Sequence, residues 1–147
     1  MRNAAISPSL MCADIFDLRR IIDGFESEGI EYLHIDVMDG QFVPNFCLGT
    51  DYCRRMKAGT DIPLDIHLMV TEPEKKLGAF PFGPGDIVSA HYESTPDVRA
   101  ALEQIGERGA TPFLAMLHGA FAVGALCGGA WFRGIHFNAF LQHLSAA

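Results

Sequence analysis

The chain lacks several features that would assign it quickly. Its four cysteines, Cys12, Cys47, Cys53 and Cys127, form no C-x-x-C pair. That spacing argues against a zinc ribbon or dithiol redox motif and reads as free, buried thiols in a reducing compartment. No G-x-G-x-x-G occurs, which removes the simplest argument for a dinucleotide fold. Basic residues are in deficit, with 11 Lys and Arg against 18 Asp and Glu and a formal charge of −7. Nucleic acid is therefore not an expected partner, because a phosphate backbone demands clustered Lys and Arg. A small anion is not excluded, since it responds to the local field of a pocket. No uninterrupted apolar run reaches the roughly 20 residues of a membrane span, so no membrane partner is expected. Pro8, Cys12 and Asp14 interrupt the apolar core that a signal peptide would need, leaving the cytoplasm as the expected compartment. Acidic residues are missing after Glu107, and between Phe113 and Ala147 the one Asp, Glu, Lys or Arg is Arg133.

What is present is ordinary for a soluble domain: 49% apolar and 20% charged side chains over 147 residues, enough for a sizeable core. A strand-then-helix unit recurs. "AAISPSL" reads as a short strand. Asp14 then reads as the N-cap of a helix carrying Ile15, Leu18, Ile22 and Phe25, and Gly29 as its C-terminal stop. "YLHIDVM" is a second strand, "DYCRRMK" a short helix stopped by Gly59, and "PLDIHLMV" a third strand. "TEPE" offers Thr71 and Glu74 as a capping box for another helix. "DIVSAHY" is a fourth strand, and Thr95 and Pro96 read as the cap and first residue of a helix with Val98, Leu102 and Ile105. "TPFLAML" starts a fifth strand.

Mostly apolar strands alternating with helices imply a parallel sheet in the α/β class. Polar residues near successive strand ends (Ser9, Asp36 with Asp39, His67) favour a (β/α)8 TIM-type barrel over an open sheet. Such a barrel takes about 200–250 residues, so the expectation is a barrel truncated to roughly its first half over 1–112. Residues 113–147, where Trp131, Phe132, Phe137 and Phe140 gather among Gly and Ala, read as an apolar tail of different origin, as from a truncation or a shifted reading frame. Gly128 and Gly129 lack the strand–loop–helix context of a phosphate loop.

On a strand, residues two apart share a face. Tyr32, His34, Asp36 and Met38 thus point one way, and Leu33, Ile35 and Val37 the other. Asp65, His67 and Met69 repeat the pattern on the next strand. Parallel neighbours lie about 4.8 Å apart, so His34, Asp36 and His67 can converge as a two-His, one-carboxylate site. A lone buried histidine is more simply a satisfied core residue. An H-x-D pair beside a second histidine points instead to a divalent cation, Zn²⁺ or Fe²⁺, with Mn²⁺ or Co²⁺ also fitting. Asp39 with Gly40 reads equally well as a turn, and Ser7 and Ser9 as strand serines.

"ISPSLMCAD", "HIDVMDGQFVPN", "PLDIHLMVTEP" and "HYEST" resemble the ribulose-phosphate 3-epimerase family of (β/α)8 barrels over roughly residues 5–112. The resemblance implies an isomerase that inverts C3 of a ketose phosphate, D-ribulose 5-phosphate to D-xylulose 5-phosphate, through an enediolate. It implies His34, Asp36 and His67 as metal ligands, Asp36 as one of two proton-moving aspartates, and Ser9 and His67 as substrate contacts. Met38 and Met69 would line the site. The family's second aspartate and its phosphate loops come from late strands, and neither is identifiable here. A six-carbon variant acting on D-allulose 6-phosphate shares these motifs. A half-barrel that binds metal without turnover is the alternative of another class. A barrel hydrolase would account for H-x-D but not for "DGQFVPN". Unpaired strand edges favour self-association, so a homo-oligomer is expected.

Overall fold

In the computed structural model, which describes residues 5–116 and 135–136, the period-2 segments form the strands of one sheet. These are β1 (Leu33–Asp39), β2 (Phe46–Cys47), β3 (Leu64–Met69), β4 (Ile87–His91), β5 (Thr111–Ala115) and β6 (Ile135–His136). Their order is β2-β1-β3-β4-β5-β6, antiparallel only between β1 and β2 and parallel elsewhere. Helices α1 (Leu18–Glu28), α2 (Thr50–Gly59) and α3 (Val98–Glu107) cover one face. Consecutive parallel strands in chain order make a partial (β/α)8 barrel. The expected tail, with its aromatic cluster and its Gly pair, lies outside the described residues. Within 113–147, β5 ends at Ala115 and the backbone of β6 pairs with Leu114 and Ala115.

Alternation decides the core. Leu33, Ile35 and Val37, Leu64, Ile66 and Leu68, and Val88 and Ala90 pack against Ile22 of α1, Cys53 and Met56 of α2, and Leu102 and Ile105 of α3. Burying each Leu or Ile contributes about 1.5–3 kcal/mol. The opposite face is left to polar residues.

Local chemistry departs from the sequence expectation in four places. The first extended run forms no regular strand: it accepts from Tyr32 N at Ile6 O, 3.3 Å, and from His34 N at Pro8 O, 3.0 Å, with one bridge, Ser9 to His34. Pro8 has no N–H to continue a ladder, and the Ser9 hydroxyl accepts from Met11 N at 3.3 Å, turning the chain into a 3-10 turn, Leu10–Cys12. Asp14 accepts from Phe16 N at 2.9 Å, an Asx turn ahead of α1 rather than its cap, and α1 starts after Asp17. Gly29 does end α1, with φ 67° and Ile30 N reaching Phe25 O at 3.0 Å. Asp97, not Thr95, caps α3 by accepting from Ala100 N at 3.2 Å.

The capping box at Thr71 does not open a helix. Thr71 N and Oγ1 both donate to Asp39 Oδ2, at 2.9 and 3.0 Å, so the threonine serves β1 rather than the segment that follows it. Glu72 takes φ 46°, and two 3-10 turns follow, Pro73–Lys75 and Leu77–Ala79. Arg108 secures this stretch by donating to Leu77 O and Phe80 O, each at 2.6 Å, over the Phe82 ring.

At the N-terminal end of the strands, the buried Asp86 gathers three segments. It accepts from Lys57 Nζ at 2.7 Å, Leu64 N at 2.9 Å and Gly83 N at 2.9 Å. Among the described residues no helix is long and apolar enough to cross a membrane.

Candidate metal centre

Register brings the polar residues together on the face opposite the helices. Asp36 of β1 is the partner of His67 on β3, His34 is the partner of Asp65, and His67 in turn faces Ser89 of β4. His34 Nε2 lies 3.2 Å and His67 Nδ1 3.1 Å from the same Asp36 oxygen, Oδ1. His34, Asp36 and His67 each offer one ligand atom, all within 4.8 Å of one another. Ligands on a tetrahedral Zn²⁺ at about 2.1 Å stand roughly 3.4 Å apart, so these separations need little rearrangement to close on a cation. Borderline imidazole nitrogens with a hard carboxylate oxygen are also the right donors for a first-row divalent ion.

Groups around this set hold it. The other Asp36 oxygen, Oδ2, accepts from Ser9 Oγ at 2.8 Å. His34 Nδ1 lies 2.7 Å from Asp65 Oδ2, which also accepts from Ser7 Oγ at 2.9 Å. An imidazole hydrogen-bonded to a carboxylate through one nitrogen presents the other to a metal. His67 Nε2 meets His91 Nε2 of β4 at 2.8 Å. His91 is fully buried, stacked on His67 with ring centroids 5.0 Å apart and tilted at 46° against Phe42, also at 5.0 Å.

The charges follow the geometry. Burial opposes the imidazolium of His34, but hydrogen bonds to Asp36 and Asp65 outweigh it and raise the group to about 10. Burial likewise opposes the Asp36 carboxylate, yet bonds from His34, His67 and Ser9 hold it well below the usual range. His91 is pushed down to about 3, by burial first and then by His67.

An apolar wall adjoins the set. Met38 and Met69 are buried with Val43, beside Met11, Phe42 and Cys47. Asp39 faces another way. Its carboxylate accepts from Gln41 N, Phe42 N, Thr71 and Lys76 Nζ, at 2.8–3.0 Å, and so ties the loop after β1 to the end of β3. Gly40 at φ 73° turns that loop where a Cβ would run into the Phe46 ring.

Apart from Asp39, the site residues read from the sequence fall at or beside one locus: His34, Asp36 and His67 at its centre, Ser9 on Asp36, Met38 and Met69 on the wall. Asp65 and His91 were not singled out. Strand parity carried the signal for both, since Asp65 shares a face with His67, and His91 with Ser89.

The family model described as "Ribulose-phosphate 3 epimerase family" matches residues 5–121. Ribulose-phosphate 3-epimerase of Bacillus subtilis is 39% identical over 104 residues, covering 71% of this chain and 48% of that protein. The chloroplastic ribulose-5-phosphate-3-epimerase of Arabidopsis thaliana is 39% identical over 107 residues, 71% of this chain and 38% of its own length. The Synechocystis ribulose-phosphate 3-epimerase is 37% identical over 110 residues, 74% and 48% respectively. The chain spans about half the length of such relatives or less. With the match reaching across the sheet and the His–Asp–His set, the chain belongs to the ribulose-phosphate 3-epimerase family.

Proposed function

We propose that the chain carries the metal-binding and proton-abstracting half of an epimerase site. The reaction is inversion at C3 of a ketose phosphate, D-ribulose 5-phosphate to D-xylulose 5-phosphate. The observation that carries this reading is the convergence of His34 Nε2 and His67 Nδ1 on one oxygen of Asp36, in a chain of that family. Zn²⁺ or Fe²⁺ suits the donor set best, held by His34, Asp36 and His67. When bound, such an ion supplies Lewis-acid stabilisation of the negative charge that develops on the substrate oxygens.

The chain's own residues supply the proton chemistry. Asp36 is ionised, the form able to accept a proton, and Oδ2 is the oxygen turned away from the imidazoles toward Ser9. That carboxylate takes the proton from C3, and the C–H electron pair passes into the enediolate. Ser9 orients the carboxylate and hydrogen-bonds the sugar, while Met38 and Met69 exclude water beside it. Inversion then requires a proton from the opposite face. No Asp or Glu follows Glu107, so no late carboxylate of these 147 residues delivers it. Loss of a positioned general acid costs about 10²- to 10⁴-fold.

A second reading follows from that same absence: a half-barrel that holds a cation without turnover and pairs with another copy. Exchange in D2O separates the two. With Zn²⁺ or Fe²⁺ added, the purified chain is expected to wash deuterium into C3 of D-ribulose 5-phosphate faster than D-xylulose 5-phosphate forms, and Asp36→Asn is expected to abolish the exchange. A cation-loaded chain without C3 exchange would favour the second reading. The same assay on D-allulose 6-phosphate reports the preferred carbon number.

A further inference from the structure

We propose that His91 is a positioning residue for the metal centre. It accepts the Nε2 proton of His67 and so leaves the Nδ1 lone pair of His67 facing the cation. This rests on the reading of His34, Asp36 and His67 as the ligand set.

Two imidazole Nε2 atoms 2.8 Å apart hold one hydrogen between them, because two N–H groups cannot point at each other at that distance. The nitrogen of His67 that converges with His34 on Asp36 is Nδ1, and a ligating nitrogen must be unprotonated. With a cation on Nδ1, His67 therefore carries its hydrogen on Nε2 and donates it to His91, whereas without one Nδ1 keeps a hydrogen for the Asp36 carboxylate. Neutral His91 then carries its own hydrogen on Nδ1. That atom is buried with no hydrogen-bond partner among the described residues, and the Glu93 carboxylate stands 3.9 Å away.

Packing makes the arrangement rigid. His91 is fully buried, stacked at 27° on His67 and held from another side by Phe42. A buried polar ring with one unmet nitrogen is costly, and an apolar residue would pack there at less cost, as Val88 and Ala90 do on the other face of β4. The two imidazoles of the set are thus fixed by different means. Asp65 turns His34 to present Nε2, and His91 turns His67 to present Nδ1.

Long-range ¹H–¹⁵N spectra of the full-length, Zn²⁺-loaded chain read the tautomers directly, and Co²⁺ titration reads the consequence. The expected spectrum has His67 protonated on Nε2 and His91 on Nδ1. His91→Leu is expected to scramble the His67 tautomer and weaken Co²⁺ binding about 10- to 100-fold. His91→Gln, whose amide oxygen accepts the same proton, retains most of the affinity. His67 protonated on Nδ1 in the Zn²⁺-loaded wild type would overturn the assignment even if His91→Leu does not fold. Co²⁺ binding lost in His67→Ala but untouched in a folded His91→Leu would overturn the role of His91 alone. No Co²⁺ binding by the wild type would overturn the centre itself, and His91's role with it.

Discussion

His34 Nδ1 and Asp65 Oδ2 stand 2.7 Å apart, on residues that are register partners of β1 and β3. Asp65 is buried, so its charge acts on His34 with little screening from water. Replacing it by Asn keeps the size and removes the charged acceptor. Asp65→Asn is expected to weaken Zn²⁺ or Co²⁺ binding about 10- to 100-fold by calorimetry. Unchanged affinity would mean that the pair is structural only.

The Asp86 cluster gives a prediction at the other end of the strands. Its carboxylate is wholly buried and satisfied by Lys57 and by the N–H groups of Leu64 and Gly83. Removing Asp86 leaves two backbone donors unmet, at about 1–3 kcal/mol each, while Lys57, partly exposed, adds less. Asp86→Ala is expected to lower the urea midpoint accordingly. Asp86 bonds to none of the metal-centre residues, so any chain that remains folded should bind Co²⁺ as the wild type does.

Asp39 sets a pH dependence. Burial works against its carboxylate, but Lys76 and the N–H groups of Phe42, Gln41 and Thr71 hold it well below the usual carboxylate range. Its folded-state value lies below the unfolded one, near 3.9. The stabilisation is therefore complete above about pH 4 and is lost as the pH falls through the folded-state value. Asp39→Asn is expected to cost about 1.5–3 kcal/mol at about pH 7, toward the lower end because Lys76 is partly exposed. The difference from wild type should shrink steadily in denaturation curves taken below about pH 4.

How much of this was legible beforehand depended on the kind of signal. The helix-facing residues Leu33, Ile35, Leu64 and Ile66 announce themselves by strict alternation, and so does the polar face holding His34, Asp36 and His67. Register is not written in any one strand. That Asp36 pairs with His67, and His67 with Ser89, had to come from the fold, and without it Asp65 and His91 had no visible partners. The turns at 71–80 were misread for a similar reason. Thr71 has the local chemistry of a cap, but Asp39, 32 residues earlier, takes both of its donors.

Thiol reactivity tests the packing of α2 on the sheet. Burial pushes Cys53 up to about 12, and its side chain is fully enclosed, whereas Cys12 is exposed. At about pH 8, iodoacetamide is expected to label Cys12 in the native chain and Cys53 only after unfolding, as read by peptide mass spectrometry. Early labelling of Cys53 would mean that α2 opens readily.

The most direct measurement is an anomalous difference map from a crystal of the chain grown with Zn²⁺. The account predicts one strong peak about 2.0–2.2 Å from His34 Nε2, an Asp36 carboxylate oxygen and His67 Nδ1. Those three side chains found without a peak between them, or the ion bound elsewhere, would contradict it.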